Sequence, residues 1–210
     1  MIDPNLLAEE FGLDQTRYFL MREVPFGNDG DFSRRAMIHR MNGDLANDLG
    51  NLSQRVLSMI FKNCAGVMPA LPETPSPEDT VLLDSADAML GKVRGHMDAQ
   101  SFHDALRSIW DVVSDANKYV DTTAPWGLKK TDPARMGEVL AVLAETIRQA
   151  AILVQPVMPD SASKILHQLG VADDQRGFDR LAGAARIVAG VEISKPEPVF
   201  PRNVVEEDEA

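Results

Sequence analysis

Three polar side chains in the run DLANDLGNLSQR share one face of a predicted helix. Asn47, Asn51 and Arg55 are spaced four residues apart, so each is displaced by only ~40° around an α-helix from the one before. An asparagine amide offers a donor and an acceptor to a base edge, and a guanidinium offers a planar fork that can hydrogen-bond or stack. The three residues together are suited to reading nucleic-acid bases. Solvation of an exposed helix face is the alternative explanation, and the spacing alone favours it.

A tryptophan beside two lysines extends this candidate set. Trp126 lies in TTAPWGLKK, at a loop or helix end, with Lys129 and Lys130 close behind. An exposed indole next to cations suits stacking on an unpaired base, worth ~1–3 kcal/mol per base. The alternative is that Trp126 plugs the end of a helical bundle. Trp110 instead continues the apolar stripe of its own helix, which predicts a core position.

The overall charge argues against a nucleic-acid binder. The chain has 21 Lys and Arg against 32 Asp and Glu, a formal net charge of −11, whereas RNA-binding proteins are usually basic. Phosphate attraction is local, however, because salt screens charges beyond roughly 10 Å. The acids concentrate at residues 73–87 and 204–210, while residues 33–64 hold five Lys and Arg against two Asp. A second small excess of cations lies at Lys118, Lys129 and Lys130 against Asp121. Arg40, Lys129 and Lys130 are therefore candidates for contacts to an RNA backbone.

No other motif in the sequence indicates catalysis or cofactor binding. The sequence lacks a phosphate-binding loop, a dinucleotide fingerprint and a nucleophile elbow, and its four histidines lack metal-ligand spacing. Cys64 is the only cysteine, so it cannot close an internal disulfide, and a core position is expected for it. We therefore predict no catalytic, cofactor-binding or metal-binding residue in this chain.

Helices joined by short connections account for most of the sequence. Helix-start and helix-stop residues predict helices at 4–11, from about 14 to 23, 34 to about 64, 77 towards 97, about 98 to 120, about 131 to 155, and 160 to 169. Asp14 is expected to cap the second helix, and EPVFPRN to lie extended across the surface. Without alternating strand patterns, this order predicts an all-α antiparallel bundle.

Two further patterns bear on location. No apolar run approaches the ~20 residues that a membrane-spanning helix needs. The N-terminal MIDPNLLAEEFG has no basic region followed by an apolar core, so it does not resemble a secretory signal. A cytoplasmic protein without a membrane span is expected.

Several long motifs, in the right order, resemble the methionyl-tRNA synthetases. The opening residues 2–33 look like the connector that follows this family's catalytic Lys-Met-Ser-Lys-Ser loop. NDLGNLSQR is similar to its anticodon-reading helix, YVDTTAPW to its anticodon-stacking loop, and LVQPVMPDSASKILHQLG and VFPRN to its closing elements. The resemblance implies a bundle of the class I synthetase anticodon-binding type. It implies a connector at 1–33, a helical anticodon-binding domain at 34–170, and a C-terminal extension with an acidic tail at 171–210.

The resemblance also implies roles and partners. Asn47, Asn51 and Arg55 would hydrogen-bond the CAU anticodon of methionine tRNA, and Trp126 would stack on it. The parent enzyme joins methionine to its tRNA with ATP and magnesium, and zinc belongs to its catalytic half. Neither the His-Ile-Gly-His-type motif nor the Lys-Met-Ser-Lys-Ser loop is present here. The chain is therefore expected to be a monomeric fragment that binds tRNA beside a missing catalytic domain and does not aminoacylate alone.

Two other functions stay open. A helical protein-interaction or scaffold domain would suit the acidic surface, and a truncated homologue with a role outside translation could keep the same contacts. Anticodon reading requires a preference for a CAU stem-loop over one with a scrambled anticodon, which a scaffold domain would not show.

Overall fold

The computed structural model describes residues 3–25, 27, 32–181 and 185–203. The helices are α1 Pro4–Phe11, α2 Leu13–Glu23, α3 Arg34–Arg40, a π-helix Met41–Gly50, α4 Asn51–Asn63, α5 Pro77–Asp98, α6 Phe102–Thr123, α7 Pro125–Thr131, α8 Pro133–Val154 and α9 Pro159–Gln168. Two short 3-10 turns follow at Asp173–Gln175 and Phe178–Arg180. The predicted all-α fold is confirmed. The acidic tail at 204–210 lies outside the described residues.

Helix α8 is the centre of the bundle. Every residue from Val139 to Val154 is buried, as expected for a helix that has neighbours on all sides. Helices α4, α5, α6, α7 and α9 all pack against it. Among the residues that the structure describes, no helix is both long enough and apolar enough to cross a membrane.

The long helix predicted for residues 34–64 is continuous but is not α-helical throughout. Helix α3 runs without a break into the π-helix, and the π-helix runs directly into α4. Met41, Leu45 and Leu49 are all buried, although a four-residue spacing drifts by ~40° per step in an α-helix. The i→i+5 bonding of a π-helix puts more residues in each turn and so opposes this drift. The single buried stripe is confirmed, and the uniform α-helix was wrong.

Asp14 caps a different helix from the one predicted. Helix α2 starts directly after Gly12, whose φ is +94°, and Asp14 is buried within its first turn. Its carboxylate accepts a hydrogen bond from the backbone N–H of Ser161 at 2.6 Å, in the first turn of α9. Arg17 donates to two backbone carbonyls of the turn at 155–158, at 2.7 and 2.8 Å. Helix α2 is thereby tied to the corner between α8 and α9.

The C-terminal segment is extended, as predicted, but it does not simply lie on the surface. Its residues 190–193 hydrogen-bond through the backbone to residues 66–68, which lie after α4. Phe200 is only 6% exposed and belongs to the hydrophobic core. The prediction of a surface tail was therefore wrong at Phe200, because the sequence pattern did not show which groove receives its ring.

Two helix boundaries also differ from the prediction. Helix α5 continues to Asp98, so α6 starts at Phe102 and not near residue 98. Helix α6 continues to Thr123 and not to about residue 120, and it ends where Ala124 adopts a left-handed conformation, with φ +42°. The residues expected to be a loop or helix end form the short helix α7.

An ion pair between the buried Asp79 and the partly buried Arg135 joins the start of α5 to the start of α8. Asp79 forms a capping box with Ser76 and accepts two hydrogen bonds from Arg135, at 2.6 and 2.7 Å, and one from Tyr119. Burial alone would raise the pKa of Asp79. The hydrogen bonds from Arg135, Tyr119 and the Ser76 backbone outweigh this effect and lower the pKa to about 2.

We expect the free energy of unfolding to fall as the pH drops from about 4 to about 2. A carboxylate with a lowered folded-state pKa stabilises the fold above its unfolded value, 3.8 for Asp79, and this contribution is lost as the pH falls through the folded value. The shift corresponds to ~2 kcal/mol. Urea titrations of the chain and of Asp79→Asn across this window should show a weaker pH dependence for the variant. An equal pH dependence of stability in the two proteins would contradict the lowered pKa of Asp79.

Candidate nucleic-acid interface

The two candidate asparagines lie where the π-helix meets α4. Asn47 is in the last turn of the π-helix and Asn51 is the first residue of α4. Both are exposed, and neither side-chain amide hydrogen-bonds to another residue that the structure describes. Because an amide carries both donors and an acceptor, each is available to a base edge.

Arg55 and Trp126 are brought together from distant parts of the chain. The guanidinium carbon of Arg55 lies 5.8 Å from the centroid of the Trp126 ring, within the distance of a cation–π interaction. Arg55 Nη2 also donates to Asp121 Oδ1 at 3.0 Å. The side chain of Arg55 is 35% exposed and that of Asp121 is 66% exposed. Helix α4 therefore meets α6 and α7 in one solvent-accessible group, in which Arg55 contacts both Asp121 and Trp126.

Helix α7 presents Trp126 to solvent. The left-handed Ala124 ends α6, and the buried Pro125 starts α7. Trp126 itself is 53% exposed, so Pro125 and not the indole fills this end of the bundle. Lys129 and Lys130 follow three and four residues later on the same helix, which places them on the same side as Trp126. Both lysines are exposed.

Arg40 differs from the two lysines because it is already paired within the fold. Its Nε donates to Glu23 at 2.9 Å, and its Nη1 lies 3.5 Å from Asp44. Burial alone would lower the pKa of Arg40, but these two carboxylates raise it. Lys129 and Lys130 form no ion pair within the described part of the chain. The structure therefore favours the lysines over Arg40 as phosphate ligands.

The local cation excess counted along the sequence is reduced in the fold. Arg34 pairs with Glu10, Arg40 with Glu23, and Arg55 with Asp121. All three carboxylates lie outside residues 33–64. A charge count over a segment misses them because ion pairs form between elements that are distant in sequence.

Asp44 fixes the π-helix to its neighbours. Its carboxylate accepts a hydrogen bond from the Tyr18 hydroxyl at 2.7 Å, and its backbone carbonyl accepts one from Trp110 Nε1 at 2.9 Å. The centroids of the Tyr18 and Trp110 rings are 4.6 Å apart. Burial and the neighbouring Asp44 carboxylate raise the pKa of Tyr18, which keeps its hydroxyl a donor. Trp110 is buried, as predicted, and also has this polar role.

Sequence reasoning missed two residues of this site. Asp121 was counted only as a charge, and nothing in its neighbourhood along the chain indicated a contact with Arg55. Gly50, directly before Asn51, did carry a signal, because an isolated glycine inside a helical pattern often marks a packing requirement. The residues that pack against Gly50 are visible only in the fold.

Comparison with known proteins relates this arrangement to a family. A family model described as the anticodon binding domain of methionyl tRNA ligase matches residues 69–210, and one described as tRNA synthetases class I (M) matches residues 1–57. The chain belongs to the methionyl-tRNA ligase family. Asn47, Asn51 and Arg55 fall within the second match and Trp126 within the first, so the candidate site is built from both.

Individual methionyl-tRNA ligases match over almost the whole chain. The chain is 53% identical over 209 residues to methionine–tRNA ligase of Brucella suis biovar 1, covering 100% of this chain and 40% of that protein. Identity to the ligase of Rhizobium meliloti is 49% over 207 residues, covering 99% of this chain and 40% of that protein. The chain thus spans about 40% of the length of these curated relatives.

Solved structures of the same family agree with the fold. The crystal structure of the apo form of Mycobacterium tuberculosis methionyl-tRNA synthetase superposes with a TM-score of 0.93 at 48% identity, covering 98% of this chain and 42% of that one. The structure of that enzyme bound by methionyl-adenylate gives a TM-score of 0.92 at 49% identity, covering 96% of this chain and 40% of that one. These matches establish that the helical bundle is the one found in this ligase family.

Proposed function

We propose that this chain recognises the anticodon of methionine tRNA as part of a methionine–tRNA ligase. The observation that carries the proposal is a group of two exposed amides, bonded to no residue that the structure describes, beside a cation–aromatic pair. The chain that carries this group is matched by an anticodon-binding family model. Asn47, Asn51 and Arg55 hydrogen-bond the bases of CAU, and Trp126 stacks on one of them. Lys129 and Lys130 contact the backbone of the loop.

The pairing of Arg55 with Asp121 suits contact with a base more than contact with a phosphate. The Asp121 side chain is 66% exposed and that of Arg55 is 35% exposed, and a solvent-accessible pair of this kind contributes only ~0–1 kcal/mol. A base edge can therefore take the place of Asp121 at little cost. A phosphate would be repelled by the carboxylate that stays close by, so the pair favours a neutral partner for Arg55.

The chemical step belongs to the catalytic half of the parent ligase. We propose that the parent joins methionine to its tRNA in the cytoplasm. The catalytic half uses ATP and magnesium, and any zinc is also bound there. The Mycobacterium tuberculosis relative is known in a complex with methionyl-adenylate. In this proposal the present chain supplies recognition, acts as a single copy, and contributes no catalytic residue.

Titration with two RNA hairpins tests the proposal. Fluorescence anisotropy would compare the affinity of the 210-residue chain for an anticodon stem-loop bearing CAU with its affinity for the same stem bearing a scrambled anticodon. We expect the CAU loop to bind more tightly. Equal affinities would contradict anticodon reading and would favour the protein-interaction function.

Asn51→Ala should reduce the preference for CAU by ~10-fold, because one base edge loses its amide partner. The matched control is Asn63→Ala, at the far end of the same helix α4, ~18 Å away at the rise of an α-helix. The control should keep the preference, and both variants should keep the helical circular dichroism of the parent chain. An equal loss in both variants would contradict a specific role for Asn51.

A further inference from the structure

The π-helix that carries Asn47 is unusually long. It spans Met41–Gly50, and at its end the Asn51 N–H is shared between the carbonyls of Ala46, five residues back, and Asp48, three residues back. Most π-helical turns in proteins are single bulges, and they are often found at functional sites. A wide helix of this length needs contacts that favour it over an ordinary α-helix.

The C-terminal segment 199–203 contacts this helix near both of its ends. In the first turn, Asn42 Nδ2 donates to the Asn203 carbonyl at 2.8 Å, and the Asn203 N–H donates back to Asn42 Oδ1 at 2.9 Å. In the last turn, the buried ring of Phe200 packs against Gly50. These contacts join residues 150 and 161 positions apart in the sequence.

Position 50 can hold only glycine in this geometry. A Cβ there would lie 2.6 Å from the Leu45 carbonyl oxygen and 3.2 Å from a ring carbon of Phe200. The first clash is with the backbone of the wide turn itself, so a change of side-chain rotamer cannot relieve it. Gly43 lies in the same π-helix, and a Cβ at that position would meet nothing within 4 Å.

We propose that segment 199–203 holds the π-helix in its wide form and thereby sets the direction of Asn47 relative to Asn51. Gly50, Asn42 and Phe200 are then positioning residues for base recognition, and none of them contacts the RNA. The physical reason is that the number of residues per turn fixes the angle between two side chains on one helix. The inference rests on the proposed function, because it explains how the two amides are aligned to read one anticodon.

The glycine pair gives a matched test. Gly50→Ala and Gly43→Ala make the same chemical change in the same helix, but only the first introduces a backbone clash. The measured quantity is the ratio of the affinities for the CAU and scrambled stem-loops, because a general loss of stability would weaken binding of both RNAs alike. We expect Gly50→Ala to lower this ratio by ~10-fold and Gly43→Ala to leave it within roughly twofold.

A double-mutant cycle shows whether the effect passes through Asn47. In an Asn47→Ala background, Gly50→Ala should have little further effect on the ratio, because the side chain whose direction it changes is absent. Independent, additive effects of the two changes would overturn the proposal. So would a Gly50→Ala chain that keeps both its helical circular dichroism and the full preference for CAU.

Asn42→Ala is the second variant, and it tests the proposal even if Gly50→Ala does not fold. It removes both hydrogen bonds to Asn203 and leaves the core side chains in place, so we expect the ratio to fall by ~5-fold in a folded protein. A folded Asn42→Ala chain with an unchanged ratio would overturn the proposal. If the unaltered chain shows no preference for CAU, the proposed function fails and this inference fails with it. A normal preference that every folded variant retains removes the inference alone.

Discussion

Trp126→Ala should weaken binding of the CAU stem-loop by ~1–3 kcal/mol, because the RNA loses an aromatic surface on which a base stacks. The indole is more than half exposed and already has the Arg55 guanidinium near its face. About half of its surface stays in contact with solvent in the fold, so the same change should lower the free energy of unfolding by less than the loss of a fully buried aromatic side chain would. Fluorescence anisotropy with the CAU stem-loop measures the first quantity, and urea titration measures the second.

Intrinsic fluorescence gives an independent readout of the same contact. The chain has two tryptophans, and Trp110 is buried with its Nε1 donating to Asp44. RNA binding should therefore quench the emission of Trp126 and leave that of Trp110, so the Trp126→Ala chain should show no quenching. Phe178→Ala, which removes another exposed aromatic ring, should change the affinity by no more than roughly twofold. Unchanged affinity in Trp126→Ala would remove stacking from the proposed mechanism.

Glu145→Ala should lower the free energy of unfolding by ~3–5 kcal/mol, because it leaves a buried arginine without its counter-charge. The Glu145 side chain is fully buried and that of Arg148 is 4% exposed. Arg148 donates to both carboxylate oxygens at 2.8 Å, and Gln149 and the Ile187 N–H also donate to this carboxylate. The change therefore breaks a network that joins α8 to the C-terminal residues 185–187. Urea denaturation at neutral pH measures the effect.

Glu138→Ala is the matched control for Glu145. It lies on the same helix, but its side chain is 39% exposed, and its pair with Arg135 is 3.2 Å long. A partly exposed pair of this kind contributes ~0–1 kcal/mol. Similar losses of stability in the Glu145→Ala and Glu138→Ala variants would show that burial of the Glu145 network adds nothing to the stability of the fold. Glu145→Gln keeps the shape of the side chain and should lie between the parent chain and Glu145→Ala.

Much of the fold could be predicted because the signals for it are local. Asp3, Ser33 and Ser76 each stand directly before a helical pattern in the sequence, and each caps the helix that follows. A cap acts within one turn of its own position, so neighbouring residues in the sequence are sufficient to identify it. Asp14 shows the limit of this reasoning. It has the right residue type for a cap, but it caps α9, which lies far away in the sequence.

The candidate site could be predicted in part. The spacing of Asn47, Asn51 and Arg55 indicated one face of a helix, and the lysines that follow Trp126 indicated a surface for stacking. Neither indicated that Arg55 lies between Asp121 and Trp126. That contact depends on how α4, α6 and α7 pack, and no pattern within a single helix contains this information.

The sequence by itself therefore determined the all-α class, most helix limits, the buried stripes and the membership of a family. These features follow from the type and spacing of residues within a few turns. The tertiary structure alone decided that residues 41–50 form a π-helix, that Phe200 packs against Gly50, and that Arg55 faces Trp126. An α-helix and a π-helix differ by one residue in their hydrogen-bond spacing, so local preference separates them weakly. Contacts with segments more than a hundred residues away, such as that between Asn42 and Asn203, select the wide form.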